Sequence, residues 1–202
     1  MSESTADEGD APVTAAETKV PTLNVANLLT LSRLVLVPLF VLALFAGGGH
    51  DLWWRSIATA LFVVASFTDQ VDGWVARRYG LITDFGKVAD PIADKALTGA
   101  ALVGLSVLGE LGWWVTIVIG VREIGVTLLR FWVIRYGVIP ASRGGKAKTM
   151  TQIAAIVLFV LPLPPGAEVV RWLLMGVALA LTVVTGVDYV FRAIRLRAAA
   201  RL

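Results

Sequence analysis

Asp69-Gln-Val-Asp72-Gly73-Trp-Val-Ala76-Arg77, followed after eight residues by Gly86, Asp90 and Asp94, is the stretch on which the rest of the chain turns. Written as a pattern it is DxxDGxxAR(x8)GxxxDxxxD, with eight residue types fixed at eight positions. Helical register puts Asp69 and Asp72 on one face together with Gly73 and Ala76, with Arg77 at its edge. Asp90 and Asp94 stand one turn apart on the next helix. Two helices joined by a short turn over residues 78–85 would therefore point four carboxylates at one another. Oxygen-only ligands suit hard divalent cations, Mg²⁺ or Mn²⁺, that also hold phosphate oxygens.

The acids are embedded in apolar sequence, with Ile57 to Phe67 before the first pair and Ala96 to Leu108 after the second. A carboxylate at membrane depth costs roughly 2.5–3.5 kcal/mol on insertion scales, so four of them require metal, protons or basic partners to offset their charge. Pairing with Arg and Lys alone is the competing, purely structural reading, but it leaves Gly73 and Ala76 without a role. A divalent-cation transporter is a second competitor. It gains nothing from Arg77 beside its carboxylates, and the second half of the chain has no counterpart of the acidic hairpin that an inverted repeat would supply.

The chain has 202 residues, 57% of them hydrophobic and 16% charged, with mean hydropathy +0.77. Such a composition is that of an all-α integral membrane protein of one domain. Five acids (Glu3, Asp7, Glu8, Asp10, Glu17) fall in the first twenty residues, which read as a disordered acidic tail without the basic start and apolar core of a cleavable signal. The transmembrane domain is expected over 21–197, with a short tail at 198–202. Cysteine is absent, which excludes disulfides, thiol catalysis and thiolate metal sites.

From Pro21 to Arg33 the sequence is amphipathic and merges into the first apolar span, so an interfacial helix that turns inward is expected. Five more apolar stretches follow at roughly 53–76, 89–108, 112–134, 147–163 and 168–191, each near the ~20 residues a bilayer needs. Arg77, Arg78 and Lys87 follow span two, Arg130, Arg135, Arg143, Lys146 and Lys148 follow span four, and Arg192, Arg195, Arg197 and Arg201 end the chain. The opposite loops offer Arg55 and Arg171. Six spans with both termini cytoplasmic, and the acidic hairpin at the cytoplasmic face of the plasma membrane, follow from that bias. The basic loops point to anionic lipid headgroups and phosphorylated substrates, and not to nucleic acid.

The eight-position pattern resembles the signature of the CDP-alcohol phosphotransferases, membrane enzymes that move a phosphatidyl or related group from a CDP-linked donor to an alcohol. The resemblance implies that Asp69, Asp72, Asp90 and Asp94 hold two divalent ions, that Gly73, Ala76 and Arg77 receive the CDP moiety, and that Asp94 is the general base. It also sets Asn27, Thr30 and Arg33 near substrate phosphates, although for Thr30 helix capping is an equal alternative. Small side chains leave room for a nucleotide and Arg77 can pair with a diphosphate.

A second constellation comprises Arg122-Glu123-Ile124, Arg130 and Gly145-Lys146-Ala147-Lys148-Thr149. Arg122, Arg130, Lys146 and Lys148 could hold a phosphomonoester beside the metals, with Glu123 as partner or neighbour of Arg122. With Asn24 to Arg33 and Asp90 to Lys95, this constellation resembles the family members that join CDP-diacylglycerol to sn-glycerol 3-phosphate. Val25-Ala26 departs from that pattern, where a proline is usual. Inositol phosphate, or phosphatidylglycerol, is the alternative acceptor. The resemblance also implies a homodimer. Lys95 either orients an acid or snorkels to the headgroups; Asp188 is expected to bond a neighbouring helix; the Trp residues at 53, 54, 113, 114 and 172 are expected at the interface.

Overall fold

The computed structural model describes residues 25–79, 84–133, 143–164 and 166–199; the side chains of 25, 26, 72–77, 79, 84–91 and 143 lie outside that description. Among the described residues every regular element is helical: α1 (Val25–Phe45), a short 3₁₀ turn (Ala46–Gly49), α2 (Leu52–Tyr79), α3 (Asp84–Val107), α4 (Trp113–Val133), α5 (Arg143–Val160) and α6 (Glu168–Ala199). These match the six apolar stretches read from the sequence. The expected interfacial helix is not a separate element, because α1 runs unbroken from Val25 into the apolar span and residues 21–24 lie outside the described part.

Apolar residues at helical spacing supply the core. Phe40 and Leu44 of α1, Phe62 of α2, Leu105 of α3, Ile156 of α5 and Met175 of α6 are all buried in one continuous cluster. Phe40 and Phe62 meet with ring centroids 5.5 Å apart. Close approach of α3 to α1 depends on Gly104, where a Cβ would stand 2.6 Å from Leu44 Cδ2. Gly47, Gly48 and Gly49 turn the chain out of α1 with φ of 61°, 73° and 79°, a conformation that side chains disfavour.

Large apolar residues also point outward on every helix, among them Leu42, Phe67, Val103, Leu128, Met150 and Val184. So extensive an apolar exterior is a lipid-facing surface, not that of a water-soluble bundle. Two segments, Asn27–Gly49 and Glu168–Ala199, are long and apolar enough to cross a membrane by length and composition alone. The other four helices carry the charged residues singled out above, which lowers their hydropathy.

The helices form two groups. α1 packs on α2 and α3, while α4 and α5 both pack on α6; α2 and α3 meet α5, and α3 meets α4, across the middle. Arg55 ties one end of the bundle together. It donates from Nη1 to Gly49 O at 3.3 Å, and from Nη2 to Glu110 Oε2 at 2.8 Å and Phe159 O at 2.5 Å. Arg171 lies 3.9 Å from Glu110 and 5.6 Å above the Phe159 ring. Arg55 is thus a buried tie within α2, and not the loop charge that the sequence suggested. The contacts gather the ends of α1, α3 and α5 with the starts of α2, α4 and α6. The exposed Trp53, Trp54, Trp113, Trp114 and Trp172 ring this end. The end of α2 and the starts of α3 and α5, which carry the acids and lysines, therefore lie at the opposite one.

Candidate active site

Asp69 lies on α2 about three turns before its end, and Arg33 reaches it from α1, Nη1 to Oδ1 at 2.7 Å. Arg33 is fully buried, whereas the Asp69 side chain keeps 35% of its surface. A buried guanidinium needs a carboxylate partner to offset its desolvation, so this pair fixes α1 against α2 at the acidic end. Thr30 is also buried, and it sits more than one turn inside α1, where it cannot be an N-cap. Asn27 lies one turn earlier and is buried as well.

Asp94 of α3 is half-buried and lies near enough to sense the charges of Asp69, Glu123, Arg33 and Lys148. The last acid of the motif thus lies in the neighbourhood of the first acid and shares a cavity wall with Glu123 and Lys148 of the second constellation, which helical register alone could not establish. Asp72 and Asp90 lie on α2 and α3, as expected. Their side chains, with those of Gly73, Ala76, Arg77 and Gly86, fall outside the described residues. The donors available are carboxylate oxygens throughout, and Asp69 stays partly open while paired. That chemistry fits a hard divalent cation.

Glu123 of α4 gathers the second constellation. Its Oε1 accepts from Arg122 Nη1 at 3.1 Å and from Lys148 Nζ of α5. Arg122 turns its other nitrogen, Nη2, to Thr185 Oγ1 of α6 at 3.0 Å, so its guanidinium lies between α4 and α6. Gly186 makes room there, since a Cβ would stand 3.1 Å from Arg122 Cγ. Lys148 is buried, whereas Arg130 and Lys146 are exposed. Among the described residues Lys95 bonds a hydroxyl and not an acid side chain: it donates to Thr127 Oγ1, which itself donates to the Glu123 carbonyl at 2.7 Å. Asp188 pairs with Arg192 one turn along its own helix at 2.9 Å, and not with a neighbouring helix.

A cavity of about 230 Å³ opens between α3, α4 and α5. Asp94, Lys95, Glu123, Lys148, Thr149 and Gln152 surround its polar part, and Leu102, Ile119 and Ile153 line its apolar part. Arg122 is not in its wall; it borders a separate apolar groove between α4 and α6. Sequence reasoning missed Gln152, Thr127 and Thr185. Polar residues in apolar helices were the available signal, but their partners are distant in sequence. The cavity thus brings two carboxylates, Asp94 and Glu123, together with two lysines, Lys95 and Lys148, in a space the size of a small polar molecule.

Comparison of the sequence with known proteins identifies its relatives. The chain is 59% identical over 172 residues to a probable phosphatidylglycerophosphate synthase of Mycobacterium tuberculosis strain H37Rv, covering 85% of this chain and 82% of that protein. It is 40% identical over 183 residues to the CDP-diacylglycerol–glycerol-3-phosphate 3-phosphatidyltransferase of Bacillus subtilis strain 168, covering 82% and 93%. The protein of that same name from Yersinia pestis is 36% identical over 166 residues, covering 79% and 89%. The family model described as CDP-alcohol phosphatidyltransferase matches residues 23–184, a range that contains the acidic motif, the lysines and Glu123, and the chain belongs to that family.

Proposed function

We propose that the protein transfers the phosphatidyl group of CDP-diacylglycerol to the primary hydroxyl of sn-glycerol 3-phosphate, giving phosphatidylglycerophosphate and CMP. The observation that carries this reading is that Asp94, the last acid of the motif, shares one small cavity with Lys148. A base for the hydroxyl and a cation for the phosphomonoester are then available to the same molecule. Its volume lies below the roughly 300–1,000 Å³ of pockets for drug-sized ligands, which favours a compact acceptor. The names of the relatives agree with both substrates.

In the reaction the acceptor oxygen attacks the lipid-side phosphorus, its proton passes to the Asp94 carboxylate, and the bond from phosphorus to the CMP oxygen breaks. CMP leaves with the electron pair. Asp69, Asp72, Asp90 and Asp94 would hold two divalent ions, Mg²⁺ or Mn²⁺, which when bound supply charge stabilisation to the diphosphate and acidify the attacking hydroxyl. Arg33 holds Asp69 in place. Arg77 pairs with the diphosphate, Gly73 and Ala76 leave space for the nucleotide, and Asn27 and Thr30 face the donor from α1. Lys148, with Arg130 and Lys146 nearer the surface, attracts the acceptor phosphate.

The six helices span the plasma membrane with both termini and the acidic end at the cytoplasmic side, consistent with the basic residues at that end and the tryptophan ring at the other. The working unit is a homodimer among anionic lipids. The test is CMP release from CDP-diacylglycerol by purified protein with Mg²⁺ or Mn²⁺, offering glycerol 3-phosphate, inositol phosphate and phosphatidylglycerol separately. Turnover with glycerol 3-phosphate alone is expected. Turnover with another acceptor would replace the substrate and keep the mechanism, and no CMP with any of them would refute the transferase reading.

A further inference from the structure

Glu123 is an acid in the middle of the cationic site, which on charge alone should repel the phosphate that the site attracts. Its contacts explain its presence. One oxygen, Oε1, accepts from both Lys148 Nζ and Arg122 Nη1, so a single carboxylate holds two cations together that would otherwise repel each other. Lys148 is buried, and a lysine has four side-chain torsions to immobilise before its ammonium can hold a ligand. An ion pair formed before the acceptor arrives removes that cost from binding.

The arrangement is itself anchored. Arg122 donates from Nη2 to Thr185 Oγ1 at 3.0 Å, and Thr185 donates to Leu181 O at 2.6 Å, which fixes the hydroxyl on α6. Thr127 accepts from Lys95 and donates to the Glu123 carbonyl, which ties the same turn of α4 to α3. Arg122 reaches α6 and not the cavity, so its influence on the acceptor passes through Glu123.

We propose that Glu123 is the positioning residue of the acceptor site: it holds Lys148 at the cavity beside Asp94, and Arg122, anchored on Thr185, holds Glu123. This rests on the transferase reading above. Glu123 sets acceptor affinity without touching the reacting atoms, and α6 contributes to that affinity through Thr185.

The experiment compares wild type, Glu123→Gln, Glu123→Asp, Thr185→Val and the double variant Glu123→Gln/Thr185→Val as purified full-length chains. It reads KM for each substrate, kcat at saturating acceptor, and glycerol 3-phosphate binding by titration calorimetry. Glu123→Gln is expected to raise the acceptor KM and Kd roughly 10- to 100-fold, by analogy with the loss when a group that orients a metal-binding side chain is removed. The donor KM should stay within about two-fold, and Glu123→Asp should recover part of the loss. Thr185→Val should raise the acceptor KM a few-fold and add nothing to Glu123→Gln, because both act on one chain of contacts. Loss of kcat with unchanged acceptor KM, or effects of the two substitutions that multiply, would overturn the proposal. If wild type turns over no phosphorylated acceptor, the transferase reading falls, and the binding titration still decides: loss of affinity in Glu123→Gln supports the positioning role, whereas unchanged affinity, or wild type that binds no glycerol 3-phosphate, removes it.

Discussion

Replacing Arg55 with Met tests the architecture at the end remote from the chemistry. Arg55 is 5% exposed and donates to one carboxylate and two main-chain carbonyls at 2.8, 3.3 and 2.5 Å. Met keeps most of the stem and its packing but removes all three donors. Glu110 is then left with Arg171 at 3.9 Å, and the carbonyls of Gly49 and Phe159 lose a charged donor. Breaking a buried ion pair by removing one partner costs about 3–5 kcal/mol, and we take about 3 because Glu110 keeps that second cation. For a chain of this size each kcal/mol moves the melting midpoint by about 2–4 °C, so the midpoint in detergent should fall by roughly 6–12 °C. Glu110→Gln should cost less, since Arg55 keeps both carbonyls, and Glu110→Gln should add little to Arg55→Met. Below the transition, turnover per folded molecule should match wild type. An unchanged midpoint would show that Arg55 does not hold the helix ends. Turnover lost in proportion at low temperature would show that this end communicates with the site.

Asp94→Asn should lower kcat by about 10²–10⁴-fold, the range of a general base, with CDP-diacylglycerol binding still measurable by titration; unaltered kcat would refute the assignment. Removing divalent cations with a chelator should abolish CMP release, and Mg²⁺ or Mn²⁺ should restore it, because four carboxylates without cations cannot stabilise a diphosphate; activity that survives chelation would exclude the metal reading. Gln152→Met should leave the melting midpoint unchanged or higher. The Gln152 amide oxygen is buried and lacks a hydrogen-bond partner among the described residues, so an apolar isostere loses nothing there. A large drop in the midpoint would mean that the amide is satisfied in the folded protein.

The acidic hairpin, the six apolar stretches and the two basic clusters could be read directly, because each is a local pattern with a physical period. Asp94, Glu123 and Lys148 meet across three helices, and no local pattern encodes that meeting. Arg122 illustrates the limit. A charge inside an apolar span announces that it has a role, but its direction depends on Gly186 leaving space on α6, 64 residues away by number (186 − 122). Arg55 fails in the other sense. It lies beside tryptophans and looks like an interfacial charge, yet its partners belong to α5 and to the turns after α1 and α3. Asp188 is satisfied by Arg192 one turn along its own helix, an i, i+4 spacing that is itself a local pattern.

The two helix groups separate the parts of the reaction. Asp69, Asp94 and Arg33, with the whole acidic motif, belong to α1–α3, while Glu123, Lys148, Arg122 and Thr185 belong to α4–α6. Under the proposed activity the first group handles a donor shared by every reaction that starts from a CDP-linked lipid, and the second selects the alcohol. On that reading the chemistry would rest on α1–α3, and the choice of product on α4 and α5 together with the α3 residues that wall the same cavity. Under that activity a new headgroup would be reached mainly by rewriting α4 and α5 against the fixed α3 wall of the cavity, with Asp69 and the rest of the acidic motif left intact, so product identity could change with little cost to catalysis.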